Sequence, residues 1–258
     1  MPSHLRILGC SGGIGKNLRT TSLLLDDDVL IDAGTGVGDL SLDQMVKIDT
    51  IFLTHSHLDH IVSVPLLIDS VGARRDKPIC VFGLPATIAA LQQHIFNNVI
   101  WPDFSKIPSA ERPFLKLFTL NLGDVLTVGT RQITVLPASH SVAAVGYAIT
   151  TEQSTLAFTG DSGPCPAFWD ALQTLPGLKH LIIETSFTDK DHVLADLSSH
   201  YCPLSLSQSF QPIDPAVQLW ISHLKPGQAE QIMSELNRSE RLAKKAPKAL
   251  IAGQVLVF

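Results

Sequence analysis

The run Thr54-His55-Ser56-His57-Leu58-Asp59-His60 places three imidazoles and a carboxylate within six residues. It follows an apolar stretch, Thr50-Ile51-Phe52-Leu53. Neutral imidazole is the commonest metal ligand in proteins, and mixed His and carboxylate sets suit zinc and its neighbours. If Ile51–Leu53 is a strand, the run lies at a strand end, where open α/β sheets carry their sites. His55 and His57 then share one side of an extended segment, while Asp59 and His60 follow as the chain turns into a helix. One segment can thus feed two adjacent ions, His55 and His57 one of them, Asp59 and His60 the other.

The rest of the chain supplies partners at similar positions. His140 follows the apolar Val135-Leu136, Asp161 follows Leu156-Ala157-Phe158-Thr159-Gly160, and His223 follows Leu219-Trp220-Ile221-Ser222. Singly, each reads as a partly buried histidine or a turn aspartate. Together at strand ends, they read as further ligands. Short apolar runs predict strands at Leu5–Leu8, Ser22–Leu25, Val29–Ile31, Pro78–Gly83, Phe114–Leu117, Val125–Val128, Gln132–Leu136, Val145–Thr150, Thr155–Phe158, Leu181–Glu184 and Val217–Ser222. Helices are expected over His57–Ala73, Pro85–Asn97, Cys165–Leu175 and Gln228–Leu236, and a terminal hairpin over Leu250–Phe258 around Gly253. Asp26-Asp27-Asp28 reads as a hairpin tip. Gly9-Cys10-Ser11-Gly12-Gly13-Ile14-Gly15-Lys16 misses the P-loop spacing, so it reads as a flexible loop after the first strand, lining the site. Strands then helix, repeated, suit two facing mixed sheets flanked by helices, an α/β layered sandwich in a single domain over residues 1–258.

Composition narrows the function classes. A hydrophobic share of 45% and a charged share of 17% describe a globular chain with a large core. A net charge of −5 argues against long nucleic acid as a partner. There is no 18-residue apolar run of the kind that spans a membrane, and the first residues lack a signal-peptide pattern, so a cytoplasmic location is expected. Cys10, Cys80, Cys165 and Cys202 form no C-x-x-C pair and read as small reduced thiols.

His-x-His-x-Asp-His, a distant His, Thr-Gly-Asp and a late His together resemble the metallo-β-lactamase superfamily. The resemblance implies an αββα sandwich and two divalent metal ions, usually zinc, with manganese or iron also compatible. By its pattern His55, His57 and His140 hold one ion, Asp59, His60 and His223 hold the other, and Asp161 bridges them. Phe82-Gly83-Leu84-Pro85, His94–Pro102 and Glu184-Thr185-Ser186-Phe187 are more specific. They resemble the class II cyclic-nucleotide phosphodiesterases. That likeness implies a small cyclic-nucleotide substrate such as cAMP or cGMP, opened to the 5′-monophosphate by a metal-bound hydroxide. A homodimer is a fold-level expectation. His200, oriented by Glu184, is the candidate acid, as in the related ribonuclease Z pattern, and Asp59 joins them as a catalytic carboxylate. Around His200 the family tends toward Gly-His-Leu-x-Pro, whereas this chain reads Ser199-His200-Tyr201-Cys202-Pro203. The alternative is a ribonuclease Z-like tRNA-processing enzyme. Trp101 and Phe104 either stack on a base or plug the core. Lys225 meets phosphate or solvent, and Arg74, Arg75 and Lys77 read as a solvated helix end.

Overall fold

Alternation along short strands decides which layer each side chain enters, because successive residues of a strand face opposite sides of its sheet. In the computed structural model, which describes residues 2–258, the strands in chain order are β1 (His4–Gly9), β2 (Ser22–Leu25), β3 (Val29–Ile31), β4 (Thr50–Phe52), β5 (Ile79–Gly83), β6 (Leu115–Thr119), β7 (Val125–Val128), β8 (Arg131–Pro137), β9 (Val145–Thr150), β10 (Thr155–Phe158), β11 (Leu178–Glu184), β12 (Gln218–Ser222), β13 (Lys248–Ala249) and β14 (Val255–Val257). They form two seven-stranded sheets, ordered β14-β1-β2-β3-β4-β5-β6 and β13-β12-β11-β10-β9-β8-β7.

Leu23 and Leu25 of β2, with Val29 and Ile31 of β3, face the second sheet and pack with Ile133, Tyr147 and Phe158. Leu24 and Leu30 point the other way and meet Ile61, Val64 and Leu67 from the helices covering the first sheet. On the second sheet Leu181, Ile183 and Ile221 face Trp169, Leu206 and Ile232 of its own helices. Three apolar layers therefore separate four structural layers, helix, sheet, sheet and helix, as the sequence predicted.

Polar contacts pin the sheets together. The Tyr147 hydroxyl, wholly buried on β9, donates to the Leu53 carbonyl at the end of β4 (2.7 Å). At the β2–β3 hairpin tip, Arg131 of β8 grips Asp28 through two parallel hydrogen bonds of 2.7 Å and reaches Asp26 at 2.8 Å. Asp26 and Asp28 are thus turn residues, as expected, and also half of an inter-sheet clamp.

Several expectations need correction. Leu250–Phe258 is not a hairpin. β13 pairs parallel with β12 in the second sheet, and β14 then pairs antiparallel with β1 in the first. Leu250, Leu256 and Phe258 all belong to the inter-sheet layer, so the segment crosses between two free sheet edges instead of folding on itself. The helix expected over His57–Ala73 is two, Leu58–Ile61 and Ser63–Val71, followed by a 3-10 turn. The Ser63 N–H leaves the helical ladder for the Ala33 carbonyl (2.8 Å), and the His60 carbonyl accepts from Ala33 N–H (2.7 Å). Pro65 has no N–H to give. The helix expected over Pro85–Asn97 ends at Ala90 and continues as a π-helical turn, Leu91–Ile95. Arg75 is no solvated residue, since its side chain is buried and paired with Asp49 at 2.6 Å. Phe104 is core, packed against Phe96 and Phe114, and Trp101 lies against the same cluster. All four cysteines are free thiols. No helix among the described residues is long and apolar enough to cross a membrane.

Tyr147→Phe removes the inter-sheet bond and strands a buried carbonyl. It should cost about 1–3 kcal/mol of stability, read as a lower urea midpoint at unchanged slope. An unaltered midpoint would show that the bond does not hold the sheets.

Candidate metal centre

The parallel run β3-β4-β5 in one sheet and β10-β11-β12 in the other carry their C-terminal ends to one rim of the sandwich. β8 runs the same way as β10, since both are antiparallel to β9. The residues following these strands are Asp32 after β3, the Thr54–His60 run after β4, His140 after β8, Asp161 after β10, Glu184 at the end of β11 and His223 after β12. After β4 the chain stays extended through His57 (φ −65°, ψ 146°), which precedes the first turn of helix Leu58–Ile61. That change of backbone spreads four donors around one point. Gly160 has φ +63°, and a Cβ there would lie 2.7 Å from the Val145 carbonyl oxygen and 3.0 Å from Thr54 Cβ. Only glycine fits this close approach, and the turn it makes aims Asp161 inward.

The structure brings together all seven residues read as ligands, in two groups. His55, His57 and His140 form one, and Asp59, His60, Asp161 and His223 the other. His140 Nε2 lies 3.1 Å from His57 Nδ1. Asp161 Oδ2 lies 3.1 Å from His223 Nε2, 3.2 Å from His60 Nε2 and 3.9 Å from His55 Nε2, so it faces both groups. Asp59 Oδ2 is 3.3 Å from His223 Nε2. Two donors bound tetrahedrally at about 2.0–2.1 Å to one zinc lie about 3.3 Å apart, close to these separations.

Hydrogen bonds behind the imidazoles fix which nitrogen faces inward. Asp32 accepts from Thr54 N–H (2.7 Å) and from the Thr54 hydroxyl (2.8 Å). With its proton committed to Asp32, the Thr54 oxygen accepts from His55 Nδ1–H at 3.0 Å. His60 Nδ1–H donates to Asp32 at 2.6 Å, and His140 Nδ1–H to the Ser199 carbonyl at 3.0 Å. The Ser186 hydroxyl donates to Glu184 Oε2 (3.1 Å) and accepts from His223 Nδ1–H (2.9 Å). Each of these four histidines therefore turns Nε2 inward, and His57 turns Nδ1. His55 Nε2, His60 Nε2 and Asp161 Oδ1 are buried and make no hydrogen bond. Buried polar atoms ordinarily find partners. A convergent set of unpartnered nitrogen and carboxylate donors is the chemistry of a divalent-cation site, and the residues fit such ions.

Burial holds the His55 imidazole well below its ordinary value of 6.5, and neighbouring His60 adds to the effect. Burial also lowers His57 and His140. All three are thereby neutral, the form with a lone pair to give. In the second group charge outweighs burial. Burial would raise Asp161, but His223 and His60 hold its carboxyl well below the usual range. Burial would lower His60, but Asp161 and Asp32 outweigh it and raise its pKa well above 6.5. A cation at His60 Nε2 would compete with the proton that these carboxylates favour there.

Glu184 and His200 meet beside these groups. Glu184 Oε1, wholly buried, accepts from His200 Nδ1–H at 2.6 Å and from Ser162 N–H at 3.1 Å. The His200 ring stacks on His223 with centroids 5.3 Å apart and meets His140 edge-on at 4.8 Å. His200 also ends its helix, after Ser199 in the left-handed region (φ +55°). Sequence reasoning missed two residues. Asp32 obeys the strand-end rule that found Asp161, but the neighbouring Asp26-Asp27-Asp28 drew attention instead. Ser186 lies in the segment that supplied Glu184, and nothing in its own identity marks it as the link between His200 and His223.

A family model described as the beta-lactamase superfamily domain matches residues 28–243, a span that contains every residue of both groups. A 3′,5′-cyclic-nucleotide phosphodiesterase of Schizosaccharomyces pombe is 29% identical over 209 residues, 69% of this chain and 58% of that protein. A ribonuclease Z of Methanothermobacter thermautotrophicus is 31% identical over 153 residues, 56% of this chain and 47% of the relative. This chain thus spans only about half the length of these curated relatives. The crystal structure of unliganded yeast PDE1 superposes with a TM-score of 0.81 at 20% identity, covering 100% of this chain and 99% of that one, a likeness of fold.

Asp32→Asn should weaken zinc binding about 10- to 100-fold, because one carboxylate orients both His55 and His60. Competition titration against a chromophoric chelator reads this directly. Unchanged affinity would remove Asp32 from the account.

Proposed function

This chain belongs to the β-lactamase superfamily, and from that premise we propose that residues 1–258 act as one hydrolase domain, a metal-dependent phosphodiesterase that opens 3′,5′-cyclic nucleotides to 5′-monophosphates. The observation that carries this reading is the Glu184–His200 pair set against two groups of metal donors. Cyclic phosphodiester hydrolysis needs an activated water, neutralisation of the phosphate charge and a proton for the departing 3′ oxygen. His55, His57 and His140, and Asp59, His60, Asp161 and His223, would hold divalent ions, which when bound would supply the first two by lowering the pKa of a bound water to about 7 and offsetting phosphate charge.

The third requirement falls to the chain. Burial disfavours the His200 imidazolium, but the Glu184 carboxylate outweighs it and raises the pKa. With Nδ1–H committed to Glu184, His200 Nε2 is the nitrogen able to hand over a proton. As water oxygen bonds to phosphorus and the bond from phosphorus to the 3′ oxygen breaks, that proton passes to the departing oxygen. Asp59 contributes one carboxylate oxygen beside His223, and hydrogen bonding to that imidazole outweighs burial and keeps Asp59 ionised.

Support for a cyclic nucleotide, rather than tRNA, comes from the S. pombe relative and from the net charge of −5. Nucleic-acid affinity rests on cationic neutralisation of phosphates. Zinc is the expected metal, with manganese and iron compatible with the donor types.

Zinc-loaded protein incubated with cyclic AMP and cyclic GMP should release the 5′-monophosphate, followed by chromatography. His200→Ala should keep its metal and lose about 100-fold or more in kcat. No turnover of either nucleotide by metal-replete protein would sink the reading. Cleavage of a tRNA precursor in its place would establish the ribonuclease Z alternative.

A further inference from the structure

The glycine segment after β1 lies outside the span matched by the family model, and the function above gives it no role. By sequence it reads as a flexible loop. The structure shows Cys10–Gly12 bound at both sides. Cys10 N–H and Ser11 N–H both donate to the Arg19 carbonyl, at 3.1 and 2.9 Å. On the other side the segment meets the residues around His223. His223 N–H donates to the Cys10 carbonyl at 2.7 Å, and Gly12 N–H to the Leu224 carbonyl at 3.0 Å. The Ser11 hydroxyl also donates to Leu224 (3.3 Å), and the Lys225 ammonium donates to the Gly12 carbonyl (2.9 Å). Lys225 is thus neither a plain solvated lysine nor free of protein contacts, since it also sits 5.5 Å over the Phe187 ring.

His223 itself has φ +58°. A non-glycine residue in the left-handed region is strained and persists where its surroundings over-determine it. We propose that Cys10–Gly12 is a clasp that holds His223 in this conformation, and that Gly12 and Lys225 are positioning residues for the ion that His223 helps to bind. The inference rests on the two-ion reading of the centre.

Gly12 fits the role because a side chain does not. A Cβ there would overlap the His223 carbonyl oxygen and lie 2.9 Å from His223 Nδ1, the atom that must bond Ser186. Alanine at position 12 must push the imidazole away from Asp59 and Asp161. A phosphate loop offers its amides to a ligand, whereas here the Gly12 amide is committed to Leu224. The segment therefore serves a ligand of the metal, not the substrate phosphate. Gly15 lies two residues beyond Gly13, and a Cβ there would meet only Leu18 side-chain atoms, the nearest at 3.0 Å.

The test is zinc content and affinity at buffered free zinc for wild type, Gly12→Ala, Gly15→Ala and Lys225→Met, with circular dichroism as the check on folding. Wild type and Gly15→Ala should bind two ions per chain, and Gly12→Ala one. Lys225→Met should bind its weaker ion about tenfold less tightly, with Lys225→Arg restoring part of the loss. Folded Gly12→Ala that binds two ions with wild-type affinity, or loses both together, overturns the clasp. If Gly12→Ala does not fold, Lys225→Met decides, and an unchanged affinity for the second ion overturns it. Wild type that binds fewer than two ions would instead defeat the two-ion reading, and the clasp with it.

Discussion

The carboxylate of Asp32 is the point from which the centre is organised. It is wholly buried, at φ +57°, and spends its two oxygens on Thr54 N–H, the Thr54 hydroxyl and His60 Nδ1–H. Burial raises its pKa, and the bonds from His60 and Thr54 offset only part of that cost. Through Thr54 it sets His55, and directly it sets His60, one histidine from each donor group. The same short stretch also breaks the following helix, since Ala33 takes the Ser63 N–H and gives its own N–H to His60. Ligand orientation and local chain path thus share one cause. Ser186 does the comparable work on the opposite sheet, where one hydroxyl joins Glu184 to His223 and lies 3.2 Å from His200 Nδ1.

Much of this arrangement was legible in the sequence because strands are short and local. Ser22–Leu25, Val29–Ile31, Val125–Val128, Val145–Thr150 and Thr155–Phe158 were read at their observed bounds. Donors at strand ends could be found the same way. What stayed hidden was long-range. The C-terminal residues have hairpin-like composition, and only the two open sheet edges explain why they split between sheets. Asp32 could not be ranked above Asp26–Asp28 from residue type, because its value comes from Thr54 and His60. The glycine segment looked flexible because its partners, Leu224 and Lys225, lie more than 200 positions away in sequence.

Donor sets and reaction are separable in this fold. The curated relatives include a cyclic-nucleotide phosphodiesterase and a ribonuclease Z, two phosphodiester substrates of very different size. A centre built from imidazoles and carboxylates offers both the same charge neutralisation and activated water. Choice of substrate must then come from what surrounds the donors. Trp101 and Phe104, whose sequence reads equally as base-stacking or core-plugging, are occupied with core packing, so neither makes that choice.

The proposed reaction requires two ions shared between the sheets. Anomalous diffraction at the zinc edge, on crystals of zinc-loaded protein, tests it most directly. Two peaks about 3.5–4 Å apart are expected, one bonded to His55, His57 and His140, the other to Asp59, His60 and His223, with Asp161 touching both. A single peak, or a peak whose ligands lie outside these seven residues, would contradict it.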